Sequence, residues 1–201
     1  MGIDCIYSMG FLLPPYESLR IRPHSTLRFG GKMANIDNPN GFRYEFRYSD
    51  GSPPVATYLQ KASTTLNAGD PVALEAGYLI LAGTGVPVLG VVMGPAAVDD
   101  TVQNGTPIVA GAGETPGVMI ILAFNDVVFR VQDGDATPAT QALIGTLVDM
   151  AGATGAVEIA SAVSTNDDVL LLALADLDNI AGNTWGANAD FLVTFTLSVL
   201  G

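Results

Sequence analysis

The chain has 201 residues, of which 49% are hydrophobic and only 14% charged, with 23 glycines and 12 prolines. It is too apolar for a disordered chain and too rich in Gly and Pro for a helical bundle, and no apolar run nears the ~20 residues of a membrane-spanning helix. Residues 62–201 hold Arg130 alone against fifteen acids, which accounts for most of the net charge of −12. Phosphate binding needs Lys and Arg in number, so the main body has no nucleic-acid-binding surface, and no membrane partner is expected either.

Residues 1–32 differ from the rest. They carry Arg20, Arg22, Arg28 and Lys32 against Asp4 and Glu17, together with the single cysteine (Cys5) and the single histidine (His24). Ile6 to Leu13 is mildly apolar, but Asp4 lies where a secretory signal is positive and Pro14-Pro15 where it is cleaved. A myristoylation site needs Ser or Thr where Ile6 stands. Gly30-Gly31-Lys32 directly precedes Met33, and Gly-Gly codons can spell a purine-rich ribosome-binding sequence. The expectation is a start at Met33, with residues 1–32 a non-native leader; a disordered N-terminal tail is the other reading.

Residues 33–56 read as an extended arm. Phe42, Tyr44, Phe46 and Tyr48 alternate with Arg43, Glu45 and Arg47, the period of a strand, until Asp50-Gly51 and Pro53-Pro54 break it. Interfaces favour Tyr, Phe and Arg, so the arm is a candidate docking element; an edge strand covering its own core fits the alternation equally well. Residues 57–201 form a β-domain. Strands are predicted near Ala56–Ser63, Val72–Leu74, Tyr78–Leu81, Val86–Met93, Pro107–Ala110, Val118–Ala123, Val127–Val131, Val157–Ala160, Val169–Leu174 and Phe191–Val199. Turn residues punctuate the gaps, as in Ala68-Gly69-Asp70-Pro71 and Gly83-Thr84-Gly85. The fold class is mainly β, a sandwich or barrel of short strands with at most one short helix. That helix is placed at Thr137 to Val148, capped by Thr140, with Gly145 counting against it. No long-period repeat is visible in the sequence.

The chemistry on offer is sparse. Residues 33–201 have no His and no Cys, which removes Ser-His-Asp arrangements and Cys/His zinc sites. Carboxylate pairs for glycoside cleavage would be Asp99-Asp100, Asp167-Asp168, or Asp126 with Glu114, but adjacent acids between strands are usually turn residues. Asp133-Gly134-Asp135 and Asp176-Leu177-Asp178-Asn179 could offer oxygens to calcium, yet neither follows the EF-hand spacing. Gly83-Thr84-Gly85 and Gly111-Ala112-Gly113 lack the rest of a phosphate loop and read as hairpin turns. The chain is read as a non-enzyme with no cofactor and no metal.

Four stretches resemble the capsid decoration, or cement, proteins of tailed phages. They are Met33-Ala34-Asn35 with Pro39-Asn40-Gly41-Phe42-Arg43, then Ala68-Gly69-Asp70-Pro71-Val72 with Tyr78-Leu79 and Leu89-Gly90-Val91. Val127-Val128-Phe129-Arg130-Val131-Gln132 and Asn183-Thr184-Trp185-Gly186-Ala187-Asn188-Ala189 follow in the family's order. The basic, aromatic linker after the opening motif and the apolar end Leu197-Ser198-Val199-Leu200-Gly201 depart from the pattern. The resemblance implies a structural virion protein on the capsid exterior, present in the host cytoplasm during assembly. Its partner would be the major capsid protein and its state a homo-oligomer, for which closed symmetry suggests a trimer. The candidate capsid contacts are Phe42, Arg43, Phe46 and Arg47: Arg to pair with carboxylates, Phe to fill apolar hollows. Trp185 is expected mostly in the core. A carbohydrate-binding or adhesion module is the alternative, and it should show several surface aromatics.

Overall fold

The computed structural model describes residues 40–49, 51–96, 107–135, 137–175 and 183–200. Expectations for the leader at 1–32, the start at Met33, Asp99-Asp100, and Asp176 with Asp178 lie outside these residues. Thirteen strands form among the described residues: β1 Arg43–Arg47, β2 Val55–Leu59, β3 Thr65–Leu66, β4 Pro71–Glu75, β5 Tyr78–Leu81, β6 Gly90–Pro95 and β7 Ile108–Val109 precede β8 Gly117–Leu122, β9 Val127–Gln132, β10 Leu147–Ala153, β11 Ala156–Ala160, β12 Val169–Leu174 and β13 Asp190–Phe195. The mainly β expectation holds. None of the described helical segments is long and apolar enough to cross a membrane.

The helix expected at Thr137 to Val148 does not form. Only a 3₁₀ turn, Gln141–Leu143, appears, and Thr140 makes no side-chain cap bond to it. Gly145 then takes φ +83°, a left-handed conformation that stops a helix, and Leu147 and Val148 begin β10. The apolar positions 143, 144, 147 and 148 fit a helical face by spacing alone, but Val148 and Met150 continue with the period of a strand.

Among the described residues two large sheets form, one ordered β2-β8-β6-β4-β5 and the other β1-β9-β13-β12-β10-β11, beside a small sheet of β3 and β7. The first curls until its ends meet, and in the second β9, next to the end strand β1, closes on β11. Gln60, just after β2, bridges Leu79 on β5 in parallel, and Asp133, just after β9, bridges Ile159 on β11 in parallel. Setting β1 aside, the five strands of each ring take the same order: first, fifth, fourth, second, third. The chain is therefore an internal repeat, with β2, β4, β5, β6 and β8 answering to β9, β10, β11, β12 and β13.

The correspondence holds residue by residue. Pro71 pairs with Val91 and Val72 with Gly90; in the second repeat Leu147 pairs with Leu170 and Val148 with Val169. A bulge interrupts β6 between Val92 and Gly94 and interrupts β12 between Leu171 and Ala173, the same position in each strand. Gly69 and Gly145 each lie two residues before the second strand of their repeat, at φ +93° and +83°. Their N–H groups donate to the carbonyls of Val92 (2.9 Å) and Leu171 (2.8 Å). At ring closure the N–H groups of Lys61 and Gly134 donate to Leu79 and Ile159 at 2.9 and 3.0 Å.

Alternation fills each ring. Val72, Leu79, Val92, Val118 and Ile120 bury one face in the first, with Leu66 and Ile108 from the small β3–β7 pair packed among them. Val148, Ile159, Leu171, Phe191, Val193, Phe129 and Val131 fill the second. Ala73, Val91 and Ile121, on the opposite face of the first repeat, belong to the second core, so apolar packing is continuous between repeats. Such burial, at ~25 cal/mol per Å² of apolar surface, is the main force holding the two together.

Buried carboxylates brace the same junction. Asp70 accepts the Gly155 N–H at 2.7 Å with one oxygen and the Asn67 N–H at 2.8 Å with the other. Asp168 accepts the N–H groups of Gly85 (2.7 Å) and Met150 (2.8 Å). Each aspartate thus reaches from its own repeat into a turn of the other.

Candidate functional site

Of the 33–56 segment, the described part from Asn40 onward is not a free arm. β1 pairs antiparallel with β9, and β2 already begins at Val55. A glycine contact fixes the entry to β1. Gly41 takes φ +68°, and a Cβ there would stand 2.4 Å from the Gly69 carbonyl oxygen, so no other residue fits. The Phe42 N–H donates to that carbonyl at 2.8 Å. Residues from two of the stretches quoted for the resemblance, Asn40 to Arg43 and Ala68 to Val72, therefore meet at one packed corner.

The four contact residues named from sequence separate here. Phe42 is only 1% exposed, and its ring lies 4.8 Å from that of Phe195 in the core. This corrects the expectation that Phe42 fills a hollow on a partner: the alternation of β1 turns it inward, and it is already spent on the chain's own core. Arg43 is exposed. Phe46 is half-buried, with its ring edge-on to the exposed Tyr48 at 5.2 Å. Arg47 is half-buried, donates from Nε to the Asp126 carboxylate at 2.9 Å and lies over the Phe124 ring at 5.3 Å. The Ser49 hydroxyl beside it is the largest influence holding Asp126 below the usual carboxylate range, and Arg47 pulls the same way.

Register adds a residue that the sequence did not single out. Arg43 stands directly opposite Arg130, the one cation between residues 62 and 201. Like charges opposite each other repel. Asp190, two residues before Leu192 on the same face of β13, sits within their field: burial raises its pKa, while Arg130 and then Arg43 lower it. A bulge between Tyr44 and Phe46 turns Glu45 out of register, so Phe46 lies opposite Val128 on the face that bears Arg130. The result is a face with two neighbouring guanidinium groups and one aromatic ring on an otherwise acidic body. Only the pairing of β1 with a strand far downstream creates it, which is why spacing could not show it.

The other sequence candidates have local partners. Glu114 accepts the Gly111 N–H at 3.1 Å within its own turn, and Asp126 is held by Arg47. Asp133 accepts the Ser161 hydroxyl at 2.7 Å and the Asp135 N–H at 3.2 Å. Burial is the chief reason that Asp133, Asp70 and Asp168 are raised above the ordinary carboxylate value. Asp149 is buried too, but N–H groups from Asn166, Asp167 and Thr165 and the Asn166 side chain outweigh that effect and lower it. Among the described residues, no group of three His, Cys, Asp or Glu is placed to hold a metal ion. Thr84 and Gly85 are engaged by the Met150 carbonyl and the Asp168 carboxylate.

The closing motif is structural as well. The Asn183 side-chain amide donates to the Ala175 and Asp190 carbonyls at 2.6 and 2.9 Å and accepts the Asp190 N–H at 3.0 Å, which holds the start of β13. Trp185, expected mostly in the core, is 38% exposed with its ring 6.0 Å from Phe191. No known family model, curated protein or solved structure matches this chain.

Proposed function

We propose that this protein is a non-enzymatic structural subunit that binds the outside of a tailed-phage capsid and decorates or stabilises it, with the major capsid protein as partner. The observation that carries the reading is the juxtaposition of Arg43 and Arg130 beside Phe46 on a chain of net charge −12. Guanidinium groups recognise carboxylates through paired hydrogen bonds, so a pair of them beside a single carboxylate, Asp190, on an anionic body suits an acidic patch on a partner. The remaining acidic surface would face outward and keep decorated particles apart. Arg43, Phe46 and Arg130 take the contact role, with Arg47 supporting β1 from its pair with Asp126.

The test is co-sedimentation of the full chain with empty capsid shells, beside a variant carrying Arg43→Glu and Arg130→Glu. Saturable binding that the variant loses, at unchanged thermal stability, supports the reading; absence of binding by the parent chain overturns it. The adhesion-module alternative draws on the exposed Trp185, and retention of the chain on immobilised glycans, lost on Trp185→Ala, would replace the capsid reading with it.

A further inference from the structure

The two repeats differ at one edge. In the second, the outer edge of β9 from Val127 to Arg130 is covered by β1. The matching residues of the first repeat, read through the shared pairing with the fifth strand, are Val55 to Thr57 on β2 and Pro54 just before it. No described strand pairs with that edge. The main-chain directions are fixed by its inner neighbour: the Pro54 carbonyl accepts from Leu122 and the Gln60 N–H donates to Pro116, so even-numbered residues face β8. Val55, Thr57 and Leu59 therefore turn their backbone groups outward.

Exposed edges are normally guarded by charge, proline or a bulge. β1, the edge of the second repeat, is guarded in this way by Arg43, Glu45, Arg47 and its bulge. β2 carries no charge at all in Val55-Ala56-Thr57-Tyr58-Leu59, and Val55 and Leu59 are 47% and 49% exposed. Pro54 and the closure at Gln60 confine any added strand to these five residues.

We propose that this edge is completed by a second copy of the chain, β2 pairing antiparallel with β2 about a two-fold axis through Thr57. The segment is chemically self-complementary about that point: Val55 of one copy faces Leu59 of the other, and Thr57 faces Thr57. It is also a place where two chains of net charge −12 can meet without setting acid against acid. A closed two-fold contact is the commonest oligomer symmetry. The dimer differs from the trimer expected from symmetry alone and stands independently of the capsid reading.

The test is sedimentation of the full chain over a range of concentrations, with Thr57→Lys and Thr57→Pro variants. The parent should reach twice the 20.8 kDa chain mass, and both variants should fall to one chain mass with unchanged circular dichroism, since an outward N–H can be lost without cost to the fold. Hydrogen exchange of the parent provides a reading without substitutions: the Val55, Thr57 and Leu59 amides should slow as concentration rises. A parent that stays monomeric, a dimer that survives both variants, or exchange at these amides that ignores concentration would each overturn the proposal.

Discussion

Replacing Phe42 by alanine separates the two roles that β1 offers. The side chain is 1% exposed, its ring lies 4.8 Å from that of Phe195 at a tilt of 40°, and Phe195 in turn lies 5.4 Å from Phe129. Truncation removes a whole buried ring and leaves a cavity between the two repeats, where Ala73 and Val91 belong to the same cluster. Substitutions of this kind cost about 3–5 kcal/mol, and in a chain of this size each kcal/mol lowers the midpoint by about 2–4 °C, so a drop of about 6–20 °C is expected. Arg43→Ala, at an exposed position, should stay within about 0.5 kcal/mol of the parent. Urea denaturation and differential scanning calorimetry on the two single variants measure both values. A Phe42→Ala midpoint within 2 °C of the parent, combined with loss of shell binding, would refute the assignment of Phe42 to the core and restore it to the contact surface.

The cross-braces give a second expectation. Asp168→Ala strands the N–H groups of Gly85 and Met150, and Asp70→Ala those of Gly155 and Asn67, so each should cost about 1–3 kcal/mol in urea titrations. A loss below about 0.5 kcal/mol in both would mean that the carboxylates do not brace the junction. The pH profile follows from the same groups. Asp70, Asp133 and Asp168 hold their protons more tightly in the folded chain than in the unfolded one, so the stability they contribute is full below the ordinary carboxylate value and lost as pH rises through the raised value. Asp149 is lowered, so its contribution is present above the ordinary value and lost as pH falls through the depressed one. The thermal midpoint should therefore rise as pH falls from neutral toward the ordinary carboxylate value of about 3.9 and fall below it; a steady fall from pH 7 downward would contradict the directions of the raised groups.

Much of the architecture is legible in the sequence because alternation and turn residues act locally. Runs such as Tyr78–Leu81 and Val169–Leu174 form strands with those bounds. Strand β10 is missed because Leu143, Ile144, Leu147 and Val148 fit a helical face by spacing, whereas the chain turns at Gly145 and Leu147 already begins the strand, with Asp149 held by the turn at Thr165 to Asp167. The internal repeat is invisible for a deeper reason. Pro71 answers to Leu147, Gly90 to Val169 and Asp70 to Thr146, so side-chain identity is lost while register, bulge and the left-handed glycines persist. Backbone hydrogen bonding defines the repeat, and hydrophobicity patterns do not record it. The contact face was half legible: Arg43 and Phe46 stand out by composition, but Arg130 joins them only through strand pairing.

The dependence of β1 on β9 sets an order of events during synthesis. Every strand of the first ring lies between Val55 and Leu122, so its hydrogen-bonded circuit can close as soon as β8 has left the ribosome. β1 is made before all of them, yet its partner spans Val127 to Arg130. At translation rates of about 5–20 residues per second, the aromatic segment around Phe42 and Phe46 waits about 4–17 seconds for its partner strand, and the core-facing ring of Phe42 waits about 8–31 seconds for Phe195. Through that interval the nascent chain presents a sticky leading segment beside an already folded neighbour, and co-translational protection of residues 42–48 becomes a condition for efficient production.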